Sequence, residues 1–357
     1  MSMELKIELA KNLKPKPRDE AALGFGKLFT DHMLLMNYSQ DTGWHNARIV
    51  PYGPISLDPA ATCLHYGQLV FEGLKAYRTD GDRIAMFRPD QNITRMNESN
   101  DRLCIPNLDV EDTVKAIAKL VEVEQEWIPS SPGTSLYIRP FILSTEAFLG
   151  VHPAKDYLFV VILSPVGAYY KGGLAPIKIY VEDNYVRAVK GGTGFTKCAG
   201  NYAASLRSQV EAEGQGFEQV LWLDGVERRN IEEVGSMNVF FVIDGQVITP
   251  KLNGSILSGI TRKSVIQILQ HWKVPVVERT LSIDEVAKAH RDGKLQEAFG
   301  TGTAAVVSPI GLLKWGETPM TINHNKIGEL SQKLYDEITG IQTGKKEDLF
   351  AWRYYVK

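Results

Sequence analysis

The sequence is poor in cysteine, in long apolar runs and in surplus charge of either sign, and each shortage removes a class of protein. Its three cysteines, Cys63, Cys104 and Cys198, form no CxxC pair and no metal-ligand spacing. An odd, sparse set reads as thiols of a reducing compartment rather than a disulfide framework. No window approaches the roughly 20 apolar residues that a membrane helix requires. Met1 to Arg18 has no apolar run of signal-peptide length, and Glu4 and Glu8 among its lysines argue against a mitochondrial transit peptide. The expected location is cytoplasmic. Basic and acidic side chains number 40 and 42, a net charge of −2, which leaves no electrostatic footprint for nucleic acid or an anionic membrane. Internal repeats and low-complexity tracts are missing as well.

What is there is an ordinary globular composition, 44% hydrophobic and 23% charged, over 357 residues, a length that suggests two domains. Residues 1–24 are polar, carry Pro15 and Pro17, and read as a loosely tied arm. Thr79-Asp80-Gly81-Asp82 separates Leu74–Tyr77 from Ile84–Phe87, a hairpin signal. Between Asn107 and Ile128 the stripe Val110, Val114, Ile117, Ala118 and Val121 follows an acidic start at Asp109, Glu111 and Asp112, which predicts a helix there. Ser135–Leu143 and Tyr157–Leu163 read as buried strands. Pro165, Gly167, Gly172, Gly173 and Pro176 mark the best linker candidate. Beyond it, Ile177–Val181, Gln219–Leu223, Met237–Ile243 and 246–249 read as strands. Helices are expected from about Tyr202 to Glu213 and near 261–272, 283–292 and 326–339. The strand–helix alternation is irregular, so two α+β domains with many antiparallel strands fit better than a doubly wound parallel sheet. The expected division is a smaller N-terminal α+β domain over 1–165, a linker over 166–176 and a larger C-terminal domain over 177–357.

Five places carry candidate chemistry. Lys197, in Lys190–Tyr202 (KGGTGFTKCAGNY), lies between a glycine-rich turn and a helix. A lysine that forms Schiff bases must lose its proton near neutral pH, from an ordinary value of about 10.4, which desolvation and nearby cations promote. Glu232 and Glu233 place acids on an otherwise apolar approach to a strand. Ser258-Gly259-Ile260-Thr261-Arg262 opens a helix, where free N–H groups at Ile260 and Thr261 would receive an anion. Gly300 to Ala305 (GTGTAA) is a small-residue turn after a buried strand; its Gly-x-Gly lacks the third glycine and the acid of a dinucleotide site. Arg95 could clamp a phosphate, since its charge survives burial better than that of lysine. Taken singly, each has an ordinary explanation: a surface lysine, a solvated Glu-Glu turn, a Ser N-cap, a helix-surface arginine. Tyr66, Phe71, Tyr137, Phe148, Tyr169 and Tyr170 would then be core aromatics. Their joint presence is what points to a site.

FGKLFTDHML, LHYGQLVFEGLKAY, LYIRPF, FLGV, VGAYY, KCAGNY, EEVGSMN, LSGITR and GTGTA occur in this order from about Phe25 to the C-terminus. On these segments the chain resembles the branched-chain aminotransferases of the fold-type IV pyridoxal-phosphate family, which have the two-domain α+β fold of the D-amino acid aminotransferase type. Within them it is most similar to the group that includes the animal enzymes. The resemblance implies pyridoxal 5′-phosphate as cofactor, bound by the C-terminal domain, with Lys197 as the Schiff-base lysine. It implies Tyr202 at the cofactor's ring hydroxyl and Glu233 at its pyridine nitrogen, with Glu232 as second choice. Arg95, the backbone of Ile260 and Thr261, and Thr303 match the phosphate cup. The apolar substrate pocket resembles one built from Phe25, Tyr66, Phe71, Tyr137 and Tyr169. Arg139 helps to order that pocket, and backbone groups at Ser236 and Ala304 receive the substrate carboxylate. In a homodimer, Tyr66, Leu149 and Val151 reach in from the partner subunit.

The implied activity is ping-pong transfer of the amino group between leucine, isoleucine or valine and 2-oxoglutarate, with Lys197 as covalent anchor and base at Cα. One methylene is worth only roughly 1–3 kcal/mol, so the three amino acids cannot be ranked. A lyase acting on aminodeoxychorismate and a D-amino acid aminotransferase are the rival enzymes on the same fold. A non-enzymatic relative would have lost Lys197 or the cup. Two departures stand out. Ala305 and Ser308 occupy the positions of the animal enzymes' redox CxxC pair, and Ser236 and Cys198 replace a threonine and an aliphatic residue.

Overall fold

A computed structural model describes residues 4–167 and 174–356. The chain forms two compact units. One comprises Met1–Lys171, Thr196–Ala199 and Gly340–Lys357, and the other Gly172–Phe195 and Gly200–Thr339.

Among the described residues, the first unit is built on a nine-stranded sheet. Its order is Leu5–Ile7, Gly43–Pro51, His32–Ser39, Asp156–Val166, Ser135–Ser144, Leu74–Thr79, Arg83–Phe87 and Arg353–Tyr355, with Leu69–Phe71 also paired to Ser135–Ser144. All pairings are antiparallel except that of Leu5–Ile7 with Ala47–Ile49. Strand alternation sorts the side chains. Leu136, Ile138 and Ile142 enter a core shared with the helices Pro89–Leu103 and Val110–Val123. The alternate residue Phe141 belongs to a smaller cluster with Met33, Leu35, Leu158 and Val160. The helix Val110–Val123 starts at Asp109, whose carboxylate accepts from Asp112 N at 2.8 Å, and the helix Pro89–Leu103 begins on a proline.

The second unit holds a mixed nine-stranded sheet, ordered Ile231–Val234, Gln219–Leu223, Ile177–Glu182, Val306–Trp315, Leu295–Gly302, Met237–Ile243, Gln246–Pro250 and Val276–Arg279, with Thr318–Thr321 paired to Val306–Trp315. Its helices are Ala199–Gly214, Ile260–His271, Ile283–Arg291 and Glu329–Gln342. The first of these opens, and the last ends, on residues of the first unit.

Two expectations need correction, the domain division and the loose arm. The tail belongs to the first unit, not to a domain running over 177–357, because Arg353–Tyr355 pairs with Arg83–Phe87 and Val356 enters the first core. That transfer, with Thr196–Ala199, makes the N-terminal unit the larger one. The N-terminal arm is tied down: Leu5–Ile7 adds a strand, Ala10 N donates to His32 Nε2 at 2.7 Å, and Asp31 takes Lys14 N at 2.7 Å and Lys16 Nζ at 2.5 Å. The helix over Ile260–His271 is capped by Gly259 without a side-chain bond, so Ser258 is not its N-cap. Of the expected linker, residues 168–173 lie outside the described residues, and with them Tyr169. No helix among the described residues is long and apolar enough to cross a membrane.

Candidate active site

In the first unit the lysine segment is held by its backbone. Lys197 N donates to Ser99 Oγ at 3.0 Å, and Lys197 O accepts from Phe71 N at 3.0 Å. Cys198 bridges to Val70 and is buried in the core, shielding that thiol from solvent. The half-buried Lys197 Nζ lies 4.9 Å from the centre of the Phe71 ring. Arg139 covers the same ring at 4.9 Å, and its Nη2 donates to the Tyr137 hydroxyl at 3.2 Å. Phe25 meets Tyr137 edge-on at 4.9 Å. Gly73 is required here, because a Cβ at that position would stand 2.0 Å from the Tyr137 hydroxyl. Four of the expected pocket residues thus form one chain of contacts, Phe25 on Tyr137, Tyr137 on Arg139 and Arg139 on Phe71, and Phe71 carries it to Lys197. Tyr66, Leu149 and Val151 are all exposed, and the Tyr66 hydroxyl donates to Leu149 O.

Arg95 is buried, not on a helix surface. Its Nε and Nη2 donate to the two carboxylate oxygens of Glu72 at 2.7 and 2.8 Å, while Asn92 Nδ2 donates to the same acid at 2.8 Å. Burial would raise the Glu72 carboxyl, but the charge and hydrogen bonds of Arg95, the charge of Lys197 and Asn92 hold it below its ordinary value. Glu72 was not among the sequence candidates, although it stands within LHYGQLVFEGLKAY. Its partner lies 23 residues away on a helix, a pairing that no local pattern announces.

In the second unit Glu232 and Glu233 are both buried on the strand Ile231–Val234, and as strand neighbours they point to opposite faces. Glu233 accepts from Leu257 N at 2.7 Å and lies 3.3 Å from Arg187 Nε. Glu232 is engaged by Ser255 Oγ and, at 3.2 Å, by Asn253 Nδ2. Arg187, also missed in the sequence, is held by Nη2 bonds to Gly194 O at 2.9 Å and to Ser255 O. Three residues after Leu257, Ile260 and Thr261 open the Ile260–His271 helix, whose first N–H groups have no intrahelical partner. Gly259 is compelled by Asn238, whose Oδ1 would be 1.9 Å from a Cβ there. Thr303 and Ala304 form the turn after the strand Leu295–Gly302, and the β-branched Val306 that ends this turn takes φ of 63°, a strained conformation typical of functional turns. Tyr202 is half-buried on the Ala199–Gly214 helix, and Ser236 is exposed in the turn before Met237–Ile243.

Each unit by itself offers groups that suit a phosphorylated, basic heteroaromatic cofactor: the second a helix N-terminus without side-chain cap for a dianion and a buried carboxylate for a ring cation, the first a lysine for a carbonyl carbon. A surface groove of about 500 Å³ bordered by Glu4, Lys6, Trp44, His45, Asp109 and Asp112 contains none of these residues. Among the described residues no cluster of His, Cys, Asp and Glu could hold a metal ion.

The family model described as amino-transferase class IV matches residues 69–313. This chain belongs to that family. Class IV members similar to it include branched-chain-amino-acid aminotransferase 2 of Bacillus subtilis, 58% identical over 98% of this chain and 96% of that one. The branched-chain-amino-acid aminotransferase of Mycolicibacterium smegmatis is 46% identical over 92% and 91%. Among solved structures, the branched-chain amino acid aminotransferase of Escherichia coli matches with a TM-score of 0.75 and 25% identity, over 92% of this chain and 99% of that one. The T.th. branched-chain amino acid aminotransferase holding pyridoxamine 5′-phosphate matches at 0.76 and 27%, over 91% and 98%.

Proposed function

We propose that this class IV amino-transferase is a branched-chain-amino-acid aminotransferase. It exchanges the amino group between leucine, isoleucine or valine and 2-oxoglutarate. The observation that carries the reading is the run of contacts from Phe25 through Tyr137 and Arg139 to Phe71, whose ring lies beside the Lys197 amine, aromatic surface suited to an aliphatic side chain. Full-length likeness to branched-chain aminotransferases supports the substrate class.

Bound pyridoxal 5′-phosphate supplies the electron sink that makes the Cα proton of the amino acid removable. Lys197 is the covalent anchor and, once freed, the base that carries this proton. Glu233, an acid in a buried setting beside Arg187, keeps a proton on the ring nitrogen. Arg95, the N–H groups of Ile260 and Thr261, and Thr303 hold the phosphate, and Tyr202 bonds the ring hydroxyl. Backbone groups at Ser236 and Ala304 receive the substrate carboxylate. Tyr66, Leu149 and Val151, exposed on one chain, complete the pocket of a second copy in a cytoplasmic homodimer.

The test is to supply the protein with cofactor, L-leucine and 2-oxoglutarate and follow the products. L-Glutamate and the branched 2-oxo acid in equal amounts are expected. Pyruvate released from aminodeoxychorismate would make the protein a lyase, and D-glutamate as product would make it a D-amino acid aminotransferase. A fully active monomer at assay concentration would refute the shared pocket.

A further inference from the structure

Thr301 is buried at 2% exposure, and its Oγ1 has no hydrogen-bond partner. A hydroxyl shut away from water without a partner is unfavourable, and a valine of the same shape would avoid the cost, so a ligand for that hydroxyl is the economical explanation. Its direction follows from the strand. A Cβ at Gly300 or Gly302 would meet Met237 side-chain atoms at 2.9 or 3.1 Å, so both neighbours face Met237. Thr301 therefore projects from the other face of the sheet.

That face is also the face of Asn238, the residue directly across the ladder from Thr301. Directly opposed residues keep their Cβ atoms about 4.5–5.5 Å apart. Asn238 in turn lies against the entry to a helix: its Nδ2 donates to Leu257 O at 2.9 Å, and its Oδ1 abuts Gly259. The helix that starts there is twelve residues long, has no side-chain cap, and packs on the strand that carries Thr301. An orphaned donor and an uncapped helix start thus share one face of the sheet, one ladder rung from the helix entry.

We infer that the Thr301 hydroxyl is an additional phosphate ligand, donating to a phosphate oxygen held at the Ile260–Thr261 end of this helix. The inference rests on the proposed cofactor and adds a side chain to its cup. Hydroxyl donation to a dianion is charge-assisted, which gives the contact its strength.

The test uses full-length apoprotein and two probes that differ only in the phosphate, pyridoxal 5′-phosphate and pyridoxal, with binding read by fluorescence titration. Thr301→Val is expected to weaken the phosphorylated probe about tenfold and leave pyridoxal unchanged. Its apo melting temperature should be no lower than that of the wild type, whereas a hydroxyl of purely structural use would lower it. Thr301→Ser should bind both probes as the wild type does. Equal affinity of Thr301→Val and wild type for pyridoxal 5′-phosphate overturns the inference, as does an equal loss for both probes. Failure of the wild-type protein to bind pyridoxal 5′-phosphate at all overturns the cofactor reading itself, a result distinguishable from either.

Discussion

Replacing Glu72 by glutamine tests the most buried charge pair of the first unit. Glu72 has no exposed surface and Arg95 only 4%, and the two exchange a bidentate pair of hydrogen bonds at 2.7 and 2.8 Å. Glu72→Gln keeps the shape but leaves the guanidinium without its counter-charge and without its second carboxylate oxygen. Breaking a buried pair from one side costs about 3–5 kcal/mol. With its oxygen at the Oε2 position the amide still accepts from Arg95 Nη2 and Asn92 Nδ2, so the lower end, about 3 kcal/mol, is expected. For a unit of this size each kcal/mol moves the melting temperature by about 2–4 °C, a fall of about 6–12 °C. Calorimetry of the apoprotein reads it without interference from cofactor. The pH dependence gives a second check. Burial raises the Glu72 carboxyl, Arg95 and Lys197 more than offset this, and the folded value lies below the ordinary 4.5. A depressed carboxyl contributes stability that is complete above the unfolded value and lost as pH falls through the folded one. The gap between wild type and variant should therefore be constant from pH 8 to 6 and shrink only below about 4.5. As a control, Glu111→Gln removes an exposed ion pair to Lys115 and should shift the melting point by less than about 2 °C. A Glu72→Gln shift as small as the control's, or a gap unchanged by acid, would refute the reasoning.

Other outcomes are as definite. Borohydride reduction of the cofactor-loaded protein should fix the cofactor on the Lys197 peptide, and Lys197→Ala should retain some cofactor yet turn over nothing measurable; a label on Lys190 ends the assignment. Glu233→Gln should lower kcat far more than it raises KM, because the amide cannot hold a proton on the ring nitrogen while ground-state contacts survive; the same loss from Glu232→Gln alone would show that the wrong acid was chosen. Lys75 is buried, which lowers its amine from 10.5 to about 8, so the fold opposes its charged form. Lys75→Met should stabilise the protein at pH 7 by at most about 3 kcal/mol, with the gain fading as pH rises from about 8 toward 10.5. A gain that is independent of pH would show that packing, not charge, is responsible.

Local elements are legible in the order of the amino acids because their signals are local. Asp109 with the Val110 to Val121 stripe announces the helix Val110–Val123, and Gln219–Leu223 and Met237–Ile243 read as strands with the bounds that the fold shows. The candidate segments too can be named in the sequence, since a lysine between a glycine turn and a helix, or an acid on an apolar strand, is visible in the chain alone. The sequence by itself thus determined many of the strands and helices and where along the chain the reactive groups sit, though not the strand Leu5–Ile7, which forms only against Ala47–Ile49. Only the tertiary structure decided how those groups are paired. It closed Glu72 on Arg95, set Arg187 beside Glu233 while Ser255 and Asn253 took Glu232, and docked Arg353–Tyr355 on a strand more than two hundred residues earlier. Such pairings close long loops, and the entropy of closure is recovered only through burial and hydrogen bonds that exist once the sheets are assembled. A buried carboxylate and an exposed one are the same letter in the chain; what distinguishes Glu72 is an arginine that the fold, not the neighbouring residues, brings within 2.7 Å.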